Sequence, residues 1–140
     1  MAYWIKFSYD RKEYIVDLDR VSGFAYEPNA RITFWLPDSA YPIVINPQAH
    51  PEVHKSLLTY IQHVTEIAFE AYWVKIDYES KQFLINLKKI GAFSSEQNGR
   101  ITFWLPDSTV PIVIHPITNS EAYQKIQSYI KQSTGISLPE

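Results

Sequence analysis

The string RITFWLPDS stands at residues 31–39 and again at 100–108. It is the most intact part of a longer duplication. An offset of 69 residues (100 minus 31) aligns Ala2 with Ala71 and runs on without a gap, with about 29 of 69 aligned positions identical. AYWIK faces AYWVK, EYIVDL faces QFLINL, and PIVINP faces PIVIHP. Where residues differ, apolar character is kept, as in Tyr14/Phe83, Ile15/Leu84 and Val21/Ile90. A chain of this kind is expected to fold as two copies of one unit, residues 1–70 and 71–140.

Each copy reads as several strands followed by a helix. In YWIKFSY, Tyr3, Ile5, Phe7 and Tyr9 alternate with Trp4, Lys6 and Ser8, the period of a strand in strand-forming residue types. Polar DRK, or ESK in the second copy, turns the chain into EYIVDL or QFLINL. A less regular third strand runs near VSGFAY and IGAFSS. Asn29-Ala30 and Asn98-Gly99 carry hairpin chemistry before RITFWL, the fourth strand. Pro37-Asp38-Ser39 is a turn, and PIVI is a fifth strand led by proline.

Helices follow. Pro51 opens the first, Glu52 suits its positive end, and Val53, Leu57, Ile61 and Val64 form its buried stripe. The first helix is expected to run on toward Phe69. In the second, Asn119 or Ser120 caps, Ala122, Ile126, Tyr129, Ile130 and Ser133 mark the inner face, and Gly135 is the stop. No Gly/Ser- or Pro-rich linker separates the copies, and a unit of 70 residues alone buries little surface. The expected fold is α+β: two tandem antiparallel meanders of about five strands, each with a C-terminal helix, packed as a pseudo-two-fold dimer through matching segments. The retained string is the best candidate for that shared patch. Head-to-tail stacking, in which unlike faces meet and outer faces stay available to further chains, is the competing arrangement.

Composition removes whole classes of chemistry. Cysteine is absent, which excludes disulfides, thiolate catalysis and Cys-based zinc sites. The net charge is −2, too near neutral to draw the chain to nucleic acid or to an anionic membrane. Aromatic residues make up 15% of the chain, as in a folded protein. MAYWIKFSYD lacks the basic and apolar regions of a signal peptide, and no apolar run is long enough to cross a bilayer, so a cytoplasmic location is expected.

Candidate site residues each have a packing alternative. On the strand RITFWL, Ile32, Phe34 and Leu36 face one way while Thr33 and Trp35 face the other. Trp35 and Trp104 are expected to be mostly buried and equivalent, filling the interface between the copies or a second core layer. The functional alternative makes them an aromatic binding surface together with Arg31, Arg100, Trp4 and Trp73. Asp38 and Asp107 are expected to bond turn backbone. His50 and His54 have the spacing of a helical metal pair, but Pro51 opens the helix between them and the second copy has Asn119 and Tyr123, so a surface pair is preferred and no metal or cofactor is expected. His63 and His115 are the other two histidines, and His115 has no partner evident in the sequence. VDLDR carries Asp17 and Asp19 where INLKK carries Asn86, Lys88 and Lys89; the signs would attract across a two-fold, but drift on a solvated edge is the preferred reading. With four glycines and no nucleophile motif, an enzyme is disfavoured. The expected function is a non-enzymatic interaction or regulatory module that binds a protein or peptide through a sheet edge or aromatic surface. The alternatives are a small-ligand binder or accessory subunit with a pocket between the copies, and single-stranded nucleic-acid binding, with nucleic acid disfavoured by charge.

Overall fold

The computed structural model describes residues 2–67, 72–106 and 111–137. It is an α+β fold with antiparallel sheets. The first half contains β1 (Trp4–Tyr9), β2 (Lys12–Asp17), a 3₁₀ turn (Leu18–Arg20), β3 (Gly23–Tyr26), β4 (Ile32–Trp35), β5 (Pro42–Ile45) and α1 (Pro51–Ile67). The second contains β6 (Trp73–Tyr78), β7 (Lys81–Asn86), a 3₁₀ turn (Leu87–Lys89), β8 (Phe93–Ser95), β9 (Ile101–Trp104), β10 (Pro111–Ile114) and α2 (Ser120–Thr134).

Local chemistry sets the breaks. The two-residue turns of the β1–β2 and β6–β7 hairpins hold both central residues at positive φ, 52° and 65° at Asp10 and Arg11, 51° and 64° at Glu79 and Ser80. That twist matches the twist of the flanking strands. Between β3 and β4, Ala30 donates its N–H to the Glu27 carbonyl at 2.9 Å and Glu27 donates to the Arg31 carbonyl at 3.0 Å. The loop is therefore three residues ending in a left-handed one, Ala30 at φ 72° and Gly99 at φ 87° in the second half. After β2, the Asp17 carboxylate accepts the Asp19 amide at 3.0 Å, and Asn86 likewise accepts the Lys88 amide at 3.0 Å. This side-chain bond competes with strand extension and tightens the chain into its 3₁₀ turn.

That turn corrects the expectation of a five-stranded meander in each half. The first two strands of each half leave as a separate hairpin, and only the next three form a meander. The sheets are β1-β2, β10-β9-β8, and a five-stranded sheet ordered β5-β4-β3-β7-β6. In the last, β3 lies between β4 and β7, with Gly23 opposite Ile85, Phe24 opposite Leu84 and Ala25 opposite Phe83.

The five-stranded sheet is a wall between two cores. On one side, Leu84 and Trp73 join Phe24, Phe34, Ile43, Leu57 and Tyr60. On the other, Phe83, Ile85 and Ala25 join Phe103, Ile112 and Ile126. Each large apolar side chain so buried stabilises the fold by about 1.5–3 kcal/mol before chain entropy is counted. In α1, Val53, Leu57, Tyr60 and Val64 are buried and Ile61 is half-buried; in α2, Ala122, Tyr123, Ile126 and Ile130 are buried while Ser133 is exposed. Pro51 opens α1, which extends to Ile67; Phe69 lies outside the described residues. Gly135 closes α2 at φ 76°, donating its N–H to the Lys131 carbonyl. Asn119 precedes α2 without a side-chain cap bond. It accepts the His115 amide instead, at 3.1 Å.

The ladder between the halves joins unlike strands. The counterpart of β3 is β8, and that of β7 is β2. A two-fold would repeat the ladder as β2 with β8, and among the described residues no such ladder forms. Nor do the two copies of the retained string pair with each other, although Trp35 packs against the second core. The string supplies β4 and β9, the middle strand of each meander, paired on both sides and burying Ile32 and Phe34, or Ile101 and Phe103, in its own core.

Candidate interaction surface

The β1–β2 hairpin has two unlike faces. Ile5, Phe7, Tyr14 and Val16 turn inward; Phe7 stacks on Tyr14 at 5.6 Å and meets Phe34 edge-on at 6.2 Å. Strand register puts Trp4, Lys6 and Ser8 on the outer face opposite Asp17, Ile15 and Glu13. Trp4 and Ile15 are diagonal neighbours there, 60% and 67% exposed. Farther out, Lys6 and Glu13 make a solvated ion pair at 3.4 Å.

The matching face of the second hairpin is covered. Trp73 is 1% exposed, its ring 6.4 Å from Phe24 and 6.3 Å from Tyr60, and Leu84 is 5% exposed. Trp73 is therefore a core residue, which corrects its placement on the candidate surface. The expectation that Trp35 and Trp104 share one environment is corrected as well. Trp35 is half-buried against the second core, whereas Trp104 is 46% exposed. The difference follows from the single ladder between halves, which brings the second core against Trp35 of β4 and, among the described residues, leaves Trp104 of β9 exposed.

β8 ends its sheet. Phe93 leans on Phe103 at 5.7 Å, while Ala92 and Ser94 are exposed. Register places Ser94 opposite Thr102, so Ser94, Thr102 and Trp104 share the outer face. The surface thus combines a marginal strand with an exposed tryptophan on the strand beside it.

Several other candidates are engaged within the fold. Arg31 pairs with Glu27 at 3.2 Å beside the β3–β4 loop, and Arg100 is exposed. Asp38 meets Arg20 at 3.0 Å, while Ser39 Oγ accepts the Tyr41 amide in the turn; Asp107 lies outside the described residues. His54 is buried and donates from Nε2 to the Ala30 carbonyl at 2.7 Å. His50 Nδ1 accepts the Asn46 amide at 3.2 Å, the task Asn119 performs for His115, and its ring rests against Tyr9. These two histidines are structural, which corrects the expectation of a surface pair. His63 is exposed. Among the described residues, no group of three or more His, Asp or Glu is placed to hold a metal.

Asp19 accepts the Tyr60 hydroxyl at 2.6 Å, and burial together with that carboxylate pushes the Tyr60 pKa well above its usual value. Lys88, the counterpart of Asp19, sits over the Tyr72 ring at 4.2 Å. Asp19 and Lys88 are thus engaged separately, each with an aromatic residue of its surroundings. An open groove of about 430 Å³ lies where Tyr26, Glu27 and Pro28 meet Asp77, Lys81 and Gln82. No described helix is long and apolar enough to cross a membrane.

In the sequence, Ile15 reads as part of the apolar pattern and the stretch near IGAFSS as a third strand, and neither is singled out as surface. Their signal was available only by setting the copies side by side: Ile15 matches Leu84, and VSGFAY matches the more polar IGAFSS. Comparison of the chain with protein-family models, curated proteins and solved structures returns no match.

Proposed function

We propose that the chain is a non-enzymatic protein-interaction module, built from a duplicated unit, that takes an extended polypeptide segment onto the β8 edge. The observation carrying this reading is that β8 ends its sheet while its counterpart β3 is flanked on both sides. A marginal strand offers a row of main-chain donors and acceptors, and adding a strand satisfies them with little demand on sequence. Exposed Trp104 beside it supplies the apolar contact that turns pairing into recognition.

Photo-crosslinking tests the proposal. With p-benzoylphenylalanine in place of Trp104, irradiation in the cell of origin should give a polypeptide adduct that includes the probe's neighbours on β8. The absence of any polypeptide adduct would sink the reading.

The groove at the seam favours a second reading, a small-ligand binder. Under it, a metabolite mixture should raise the melting temperature of the wild type but not of Gln82→Trp, which fills the groove.

A further inference from the structure

We infer that the segment received by β8 is the β1–β2 hairpin of a second copy of this chain, so that chains join head to tail. The inference rests on the edge-recognition reading above and names its occupant.

The β3–β7 ladder is a template for the junction. Moved by 69 residues, its register places Ala92 opposite Val16, Phe93 opposite Ile15 and Ser94 opposite Tyr14. Both strands of this second ladder exist in every chain, and in a single chain they are not paired with each other.

The exposed apolar residues are the ones that such a ladder would cover. Trp4, Ile15 and Trp104 lie in solvent, while their counterparts Trp73, Leu84 and Trp35 are packed across the junction between halves. Other exposed apolar residues do not follow this rule: Leu58 matches Gln127, and Ile117 matches Gln48. The pattern singles out one surface on the hairpin and one on the β8–β9 strands.

The two strands also compensate each other at the tightest side-chain contact of the crossing. At Gly23, a built Cβ would stand 3.0 Å from Ile85 Cδ1, 3.2 Å from the Leu84 carbonyl oxygen and 3.4 Å from a Leu105 methyl. The equivalent of Gly23 is Ala92, which carries that Cβ. Its partner in the transposed register is Val16, which lacks the Cδ1 that would crowd it. The methyl group has moved from one strand to the other, and the volume at the crossing is conserved.

Joining unlike strands leaves each chain with a donor hairpin at one end and a receiving edge at the other. Such a contact repeats until it closes into a ring or continues as a filament.

The test uses full-length purified protein, by sedimentation velocity and light scattering over a wide concentration range. Wild type should grow from monomer to dimer or larger as concentration rises. Ile15→Lys spoils the hairpin and Ser94→Arg spoils the edge. Both positions are exposed in the single chain, so circular dichroism and melting should be unchanged, while each association weakens by more than roughly tenfold. Mixed one to one, the two variants retain one good hairpin and one good edge between them, and should form a binary complex that grows no further. A wild type that stays monomeric throughout, or a mixture that gives no binary complex, overturns the inference. The crosslink from position 104 separates its failure from that of the broader reading. An adduct to a different protein with a monomeric wild type ends self-association and leaves edge recognition standing, and no adduct at all ends both.

Discussion

The β1–β2 and β6–β7 hairpins begin with nearly the same residues, AYWIK and AYWVK, yet Trp4 is in solvent and Trp73 is among the most deeply buried side chains. Nothing within either hairpin decides this. The second hairpin has β3 along its edge and the first core over its outer face, and the first hairpin has neither. Burial in a sheet belongs to the pairing, so two copies of one sequence hold different environments once one pairing is made and the other is not.

Variants at matched positions sharpen that contrast. The largest effect is expected at the tryptophans. Trp73→Ala should cost about 3–5 kcal/mol in urea unfolding, whereas Trp4→Ala should cost less than about 1 kcal/mol in the monomer. Equal losses would mean that both hairpins are covered alike.

Next comes the buried hydroxyl. Tyr60→Phe removes a bond to a carboxylate and should cost about 1.5–3 kcal/mol, while Tyr129→Phe, whose counterpart to Asp19 is Lys88, should stay within about 0.5 kcal/mol. The folded pKa of Tyr60 is raised above the ordinary 10.0. Its contribution is therefore complete below that pH and is lost as pH rises above it, because the unfolded chain releases the proton first. Wild type should lose stability with rising alkalinity more steeply than Tyr60→Phe.

The β3–β4 and β8–β9 loops differ by one methyl group at a left-handed residue. Ala30→Gly should stabilise and Gly99→Ala destabilise by about 1 kcal/mol each, read from melting midpoints. The smallest effect is on the hairpin surface, where Lys6 and Glu13 correspond to Lys75 and Gln82. Glu13→Gln should change stability by under about 0.5 kcal/mol, as an exposed pair implies.

The elements were legible in the sequence because their apolar periods are clean. Strand alternation located β1, β2, β4 and β5, and the three- and four-residue spacing located both helices. The partner of β3 was not legible. Gly23, Phe24 and Ala25 are all buried, and a strand covered on both faces loses the alternation that announces one. The role of His54 was hidden for another reason, since its acceptor is the carbonyl of Ala30, 24 residues away along the chain. Aligning the copies revealed sameness, and the surface proposed for binding lies where their surroundings part.

The wall shared by the two cores also has a consequence in time. β3 reaches its second partner only when β7 has been made, some 62 residues later (85 minus 23). At ordinary translation speeds that is an interval of about 3–12 s. During it the newborn first half holds β3 as an unfinished border and lacks Trp73 and Leu84 from its interior, so the ribosome delivers a half-built core and the later hairpin completes it.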